Sequence, residues 1–269
     1  MLKDKLVIVR GGGDLATGSI YKLYQCGFKI VILETANPSA IRRHISFSEA
    51  VYEGSVTVEG VTCTHIQNVK LLEKTWKNGE IPLFVDPKGE LIKKLKPWAV
   101  IDAIIAKKNL GTTIDMAPVT VALGPGFIAG IDVKTVIETK RGHNLGRLIR
   151  SGSASPNTGI PGIIGGYGAE RVIHAITDGK LYGIRKIGDL VDAGETIAII
   201  EKEDSRQVPV KTKIKGVLRG LIRDGYPVTI GFKIADVDPR ESEKENCFTI
   251  SDKARCIAGG VLEALMREL

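Results

Sequence analysis

Gly11, Gly13 and Ala16 stand at the spacing G-x-G-x-x-A, inside the run Arg10-Gly11-Gly12-Gly13-Asp14-Leu15-Ala16-Thr17-Gly18. Glycines so placed let the chain turn tightly and let its backbone come close to a ligand. The small third residue lets the following helix pack near the strand before it. N–H groups left free at a helix start attract an anion. Glu34, at the end of the next apolar run, stands where a carboxylate can bind a ribose hydroxyl. Asp14 reads two ways. Beside a phosphate its charge is opposed; as a helix cap it favours the positive end of the helix without touching a ligand. Gly11, Gly12, Gly13, Asp14, Ala16 and Glu34 form the candidate cofactor-binding set. Glu138, Arg141 and His143 share one short stretch and form the candidate catalytic set. A guanidinium grips phosphate through two nitrogens, and an imidazole moves protons near neutral pH. The alternative for these three is a structural hydrogen-bond corner.

Other residues offer less. Asp102 and Lys107 lie at or after a strand end, where open α/β sheets bind ligands, and Asp115 reads as a turn residue or a ligand contact. His44, His65 and His174 have no companions at metal-ligand spacing, so no metal site is expected. Neither a nucleophile elbow nor a Walker loop occurs.

The elements that must hold these residues follow from periodicity. Residues 6–9 are an apolar run that breaks on the glycines. Ala16, Ile20, Leu23 and Tyr24 then fall on one helix face, Gly27 caps its end, and residues 29–33 form the next strand. That order is strand, turn, helix, strand. Residues 55–66 alternate around Glu59-Gly60, a hairpin signal. Strands are expected at 81–85, 99–105, 119–123 and 133–137, and helices at 69–76 and 91–95. Residues 151–168 are a loop rich in glycine, serine and proline, either functional or a linker.

Gly188, Val191, Gly194 and Ile197 recur as Gly225, Val228, Gly231 and Ile234, an internal repeat in steps of three. Each half reads as strand, glycine turn, strand, and two such halves can close into a small flattened barrel. This stretch resembles the biotinyl/lipoyl domain, the barrel-sandwich hybrid. Its hairpin reads Glu201-Lys202-Glu203-Asp204, without the Met-Lys-Met or Asp-Lys-Ala of the carriers, so no covalent biotin or lipoate is expected on Lys202. The expected fold class is α/β: a Rossmann-like, mostly parallel sheet domain over 1–170 and an all-β barrel-sandwich hybrid over 175–240. The amphipathic helix 251–269 is expected to pack back on the first domain.

Composition limits the function classes. The chain has 269 residues, 43% of them apolar, enough for a sizeable core. No apolar run is long enough to span a bilayer. The first residues lead directly into a strand and read as no signal peptide. Cys26, Cys63, Cys247 and Cys256 form no C-x-x-C pair and read as reduced thiols of a cytoplasmic protein, Cys26 and Cys256 as core residues of helices. The net charge of +7 is spread over several elements, and aromatic residues make up only 5%. That disfavours a nucleic-acid platform of stacked rings and fits a phosphate-bearing small molecule or an acidic protein partner.

The motifs read together resemble one family over nearly the whole chain. They are residues 10–18, Asp-Ala-Ile-Ile-Ala-Lys-Lys-Asn at 102–109, Leu-Gly-Pro-Gly-Phe-Ile-Ala-Gly at 123–130, Glu-Thr-Lys-Arg-Gly-His at 138–143 and Asn-Thr-Gly-Ile-Pro-Gly at 157–162. The run is similar to the YqeB-type accessory proteins of the selenium-dependent molybdenum hydroxylase system. The resemblance implies a cytoplasmic role in maturing xanthine- or purine-dehydrogenase-like hydroxylases, with the hydroxylase and its other maturation proteins as partners. It implies a molybdopterin-type cofactor or a nucleotide as ligand, and leaves open whether the protein is itself an enzyme. The glycine loop also resembles the Gly-Ala-Gly-His loop of XdhC-type chaperones, with Asp14 in place of the histidine. The alternative class is a nucleotide-dependent enzyme, an NAD(P)-type oxidoreductase acting on a small substrate.

Overall fold

The computed structural model describes residues 2–157, 159 and 162–269. Of the motif at 157–162, Thr158, Ile160 and Pro161 therefore lie outside the described residues. The chain divides into two units. The first comprises Met1–Pro38, Ser46–Thr158 and Ile250–Leu269, the second Ser39–Ile45 and Gly159–Thr249.

The first unit begins with β1 (Leu6–Arg10), α1 (Asp14–Gln25) and β2 (Lys29–Glu34). Apolar runs without alternation suit strands buried on both faces, and Val7, Ile8 and Val9 are fully buried. There follow α2 (Ala50–Glu53), the hairpin β3 (Ser55–Val58) and β4 (Val61–His65), α3 (Leu72–Lys77), β5 (Ile81–Val85), α4 (Glu90–Leu95) and β6 (Ala99–Asp102). Then come β7 (Val119–Leu123), β8 (Ile128–Ala129), β9 (Thr135–Ile137), β10 (Leu148–Ile149) and β11 (Gly152–Ser153). The last helix, α5 (Asp252–Met266), packs on α1, β7 and β9.

The expectation of a Rossmann-like, mostly parallel sheet domain is corrected here. The large sheet has nine strands in the order β10-β9-β7-β6-β1-β2-β5-β4-β3 and is mixed, since β3 runs antiparallel to β4 and β10 antiparallel to β9. Helical crossovers stop at β6. Between β6 and β7 the chain makes only a short 3-10 turn, Ile114–Met116, and between β7 and β9 only β8. The sequence explains why: Gly111 and Pro118 interrupt the first connection, and Gly124-Pro125-Gly126 with Gly130 interrupt the second. Helix α5, from the far end of the chain, packs on β7 and β9 instead. Its fit depends on missing side chains. A Cβ on Gly18 would fall 2.8 Å from the Cβ of Ala254, and one on Gly260 would meet the carbonyl oxygen of Gly146. The start of α5 is pinned to the β3–β4 turn, where Glu59 accepts the Ile250 N–H at 2.8 Å and pairs with Arg255 at 2.6 Å.

The second unit holds β12 (Val172–His174), β13 (Gly179–Gly183), β14 (Leu190–Val191), β15 (Thr196–Glu201), β16 (Gln207–Lys211), β17 (Gly216–Leu221), β18 (Tyr226–Val228) and β19 (Lys233–Asp238). The all-β barrel-sandwich hybrid is corrected as well. The strands form two separate antiparallel sheets of four, ordered β12-β19-β17-β14 and β16-β15-β13-β18. The repeat places Val191 on β14 and Val228 on β18, both buried and each on an edge strand. Those edge strands are two and three residues long, too short to carry a ladder from one sheet to the other.

Cys256 is exposed on α5 rather than in the core, while Cys63 and Cys247 are buried; all four cysteines are free. No helix among the described residues is long and apolar enough to cross a membrane.

Candidate functional site at the carboxyl edge of the sheet

Strands β1, β2, β5, β6, β7 and β9 are parallel, so their carboxyl ends share one edge of the first unit. Along that edge lie Glu34 at the end of β2, the glycine turn after β1, the segment from Ala103 after β6, Gly124 after β7 and Glu138 after β9. Open sheets bind ligands at such an edge.

The glycine turn is the best-built part. Gly11 has φ +93°, and a Cβ there would come within 3.0 Å of the Ala103 carbonyl oxygen and the Ile104 nitrogen. Gly12 is enclosed: its N–H donates to Glu34 Oε2 at 2.8 Å, and its carbonyl accepts from Ser48 N at 2.8 Å and the Thr17 hydroxyl at 3.2 Å. Gly13 is open, with nothing within 4 Å of the position its Cβ would take. It is the N-cap of α1, and no side chain caps that end. The first intrahelical bond runs from Thr17 N to Gly13 O, which leaves the N–H groups of Leu15 and Ala16 without an acceptor among the described residues. Asp14 is the first residue of the helix and adds a carboxylate at its positive end.

Glu34 is spent on the turn. Its carboxylate accepts from Gly12 N and, at 2.7 Å, from Thr35 N. Burial pushes its acidity toward the protonated form, against those two hydrogen bonds.

Beneath the turn sits a buried ion pair that strand reading alone does not reveal. Arg10 and Asp102 are paired in register on β1 and β6. Arg10 Nη1 lies 3.7 Å from Asp102 Oδ2, and both residues are 2% exposed. The Thr112 hydroxyl donates to the same carboxylate oxygen at 2.5 Å and accepts from Arg10, which also reaches the Pro87 carbonyl at 3.2 Å. Burial raises the Asp102 pKa, while Thr112, the Ile104 N–H and Arg10 pull it down. The available signal was a charged residue closing each of two apolar strands, Leu-Val-Ile-Val-Arg and Ala-Val-Ile-Asp.

Glu138, Arg141 and His143 lie on the same edge, three strands from the glycine turn. Glu138 is buried and organises its own loop, accepting from Lys140 N at 2.7 Å and Ser155 N at 2.8 Å. Arg141 makes a two-nitrogen contact with Asp252 at the start of α5, at 2.7 and 3.1 Å. His143 is exposed. Glu138 and Arg141 are thus each engaged by other groups of the first unit. Burial drives the Glu138 pKa up, but the hydrogen bonds from Lys140, Ser155 and Thr139 outweigh it and hold it below the ordinary 4.5. A carboxyl with a depressed folded-state pKa stabilises the fold above the unfolded value, and that contribution is lost as pH falls through the folded one. Acid titration of unfolding should therefore show a loss below about pH 4.5 that Glu138→Gln removes. An unchanged acid limb in the variant would rule out this role.

Asp115 is exposed in the 3-10 turn Ile114–Met116. A wide groove of about 1480 Å³ lies toward the opposite ends of the strands, lined by Leu6, Trp98, Met116, Lys5, Lys96 and Lys134. Among the described residues, no three His, Cys, Asp or Glu gather into a group that could hold a metal ion.

No family model matches the chain. It is 49% identical over 262 residues to the Escherichia coli (strain K12) protein described as "Uncharacterized protein YqeB", covering 97% of this chain and 47% of that protein. The chain is thus similar to YqeB over nearly all of its own length. It spans about half the length of the curated relative it matches, as the 47% coverage states. Among solved structures, the apo Ectoine utilization protein EutE (DoeB) from Ruegeria pomeroyi matches at 10% identity and TM-score 0.27, over 86% of this chain and 85% of that one. A succinylglutamate desuccinylase/aspartoacylase from Rhodobacter sphaeroides matches at 12% identity and TM-score 0.27, over 87% and 84%. An aspartoacylase family protein from Mesorhizobium loti matches at 9% identity and TM-score 0.29, over 86% and 84%. Likenesses at these scores assign no chemistry to the chain.

Proposed function

We propose that the chain is an accessory factor in the maturation of selenium-dependent molybdenum hydroxylases, acting in the cytoplasm. On this reading it holds a phosphate-bearing ligand, a molybdopterin-type cofactor or a nucleotide, at the carboxyl edge of its sheet. The observation that carries the ligand class is the start of α1. Gly13 is open on its Cβ side, and the N–H groups of Leu15 and Ala16 have no acceptor among the described residues. Such a helix start favours an anion through its N–H groups and its dipole. The maturation role draws on the motifs shared with the YqeB-type accessory proteins. The cofactor's phosphate would sit on the amides of Leu15 and Ala16, and its remaining chemistry would be its own. The partners are then the hydroxylase and its other maturation proteins.

The NAD(P)-type oxidoreductase loses ground on two counts. It needed the doubly wound sheet, and β6–β7 and β7–β9 lack helical crossovers. It also needed Glu34 for a ribose, and that carboxylate is taken by Gly12 and Thr35.

The test is native mass spectrometry of the protein from its own cells, together with thermal unfolding against a molybdopterin nucleotide. A bound pterin nucleotide and a raised melting temperature are expected, as is lower hydroxylase activity in cells that lack the protein. Full hydroxylase activity in such cells would end the maturation reading.

A further inference from the structure

The connection from β6 to β7 leaves part of the large sheet uncovered. The chain crosses from β5 to β6 through α4, and β7 continues in the same direction along the sheet. Right-handed crossovers place both connections on one face. That face is the one α4 covers. Its Leu91, Ile92 and Leu95 pack with Ile8 and Val100 of the strands, and Met116 and Ala117 join the same cluster. A helical crossover after β6 would therefore lie beside α4. The chain instead spans residues 103–118 with one short 3-10 turn, Ile114–Met116. The carboxyl half of β7 on this face is roofed by a second cluster, in which Ala122 packs with Phe127, Ala129 and Val133. The groove of about 1480 Å³ is the part that stays open.

The groove has an apolar floor and a basic rim. Leu6, Trp98, Ile114, Met116 and Ala117 line it and are only half-buried, so apolar surface faces solvent there. Lys93 and Lys96 stand on or just after α4, Lys88 just before it, and Lys134 on the β9 side. All four are exposed, and none is ion-paired among the described residues. Lys5 lies over the Trp98 ring, 4.9 Å from its centroid. The acids of the lining are Asp4, Glu90 and Asp115, so lysine is in excess. The volume exceeds the roughly 300–1,000 Å³ of small-molecule pockets. An apolar floor of that extent between charged walls has the form of helix-in-groove docking.

We propose that this groove docks an amphipathic helix of a partner protein, its apolar stripe on Trp98 and Met116 and its flanks acidic. The fold argues for a helix, because the slot is the one a crossover helix would fill. The lysines argue for acidic flanks, because complementary charge selects the partner and fixes its orientation. A second copy of this chain fits less well. Its longest helix, α5, already buries Ile257, Val261 and Leu265 on its own unit. The docking site does not depend on what α1 binds, since α1 crosses on the opposite face of the sheet.

Site-specific photocrosslinking tests this on the full chain in its own cells. A benzophenone side chain at Lys93 or at Lys134 should capture one segment of another protein, with apolar residues at helical spacing flanked by Asp and Glu. The same probe at Glu263, exposed on α5, should not capture it. Made as a peptide, the captured segment should gain helicity on binding the purified chain. Lys93→Glu/Lys134→Glu should weaken that peptide at least about tenfold, because two attractive contacts become repulsive. Lys70→Glu/Lys74→Glu, the same charge change at exposed positions outside the groove, should leave its affinity unchanged. Several outcomes would overturn the proposal: no capture from either groove position, capture of a second copy of this chain, or capture of a segment without acidic flanks and helical spacing. A peptide that binds without gaining helicity, or an equal loss in the two charge-reversed pairs, would do the same.

Discussion

Asp102→Ala should destabilise the first unit by about 3–5 kcal/mol, the usual cost of removing one partner from a buried ion pair. The loss is steep because Arg10 stays behind, 2% exposed, with its charge unmatched. The Thr112 hydroxyl, fully buried, loses its acceptor at the same time. Against a total stability of roughly 5–15 kcal/mol for a domain, that is a fifth or more. Denaturant unfolding should show a lower midpoint at unchanged slope. Asp102→Asn is the discriminating companion, since it removes the charge and keeps one of the two acceptor oxygens that serve Ile104 and Thr112. It should fall between wild type and alanine. A double change of Arg10 and Asp102 to apolar residues of similar volume should recover much of the loss, because desolvating the pair costs nearly what the pair returns. If Asp102→Ala unfolds at the wild-type midpoint, the pair carries no structural weight.

Gly13→Val should abolish most phosphate binding and leave the fold standing. Gly13 has φ −65° and ψ 178°, extended backbone that valine adopts without strain, and nothing lies within 4 Å of the new Cβ. The structural cost is that of a poorer N-cap, on the order of 1 kcal/mol. The binding cost is larger, because the side chain occupies the space through which an anion reaches the helix N–H groups. Losing one or two charge-assisted hydrogen bonds, each about 1.5–3 kcal/mol, predicts at least tenfold weaker binding of a pterin or nucleotide phosphate by calorimetry. The same change at Gly12 would be uninformative, since a Cβ there meets Ser48 N at 2.9 Å and would disturb the turn itself. Equal affinity of wild type and Gly13→Val would place the ligand elsewhere.

Much of the local structure was legible in the residues. The apolar run at 6–9, the helix face of Ala16, Ile20 and Leu23, and the Glu59-Gly60 hairpin are set by period and turn chemistry, which act over a few residues. The glycine turn was legible for the same reason: Gly11 needs φ +93°, and only glycine takes it at no cost. Glu34 was legible as a carboxylate at a strand end, but not as the acceptor for Gly12, because that bond joins the end of β2 to the turn after its neighbour β1.

What only the tertiary structure decided comes from contacts distant in sequence. Periodicity cannot say whether a connection between strands is helical when glycine and proline interrupt it, so the mixed sheet was out of reach; the return of the last helix to the first unit was legible from its apolar stripe, but not that it covers β7 and β9. The repeat around Val191 and Val228 identifies matching strands but not how far each ladder extends, and strands of two and three residues leave the two sheets separate. Arg141 looked available for phosphate until α5 brought Asp252 to it, from 111 residues away. By itself the sequence determined the strands, the turns and the open helix start. Which charges are spent within the fold and which still face solvent was decided by packing, because an ion pair forms between whatever groups the fold brings within a few ångströms.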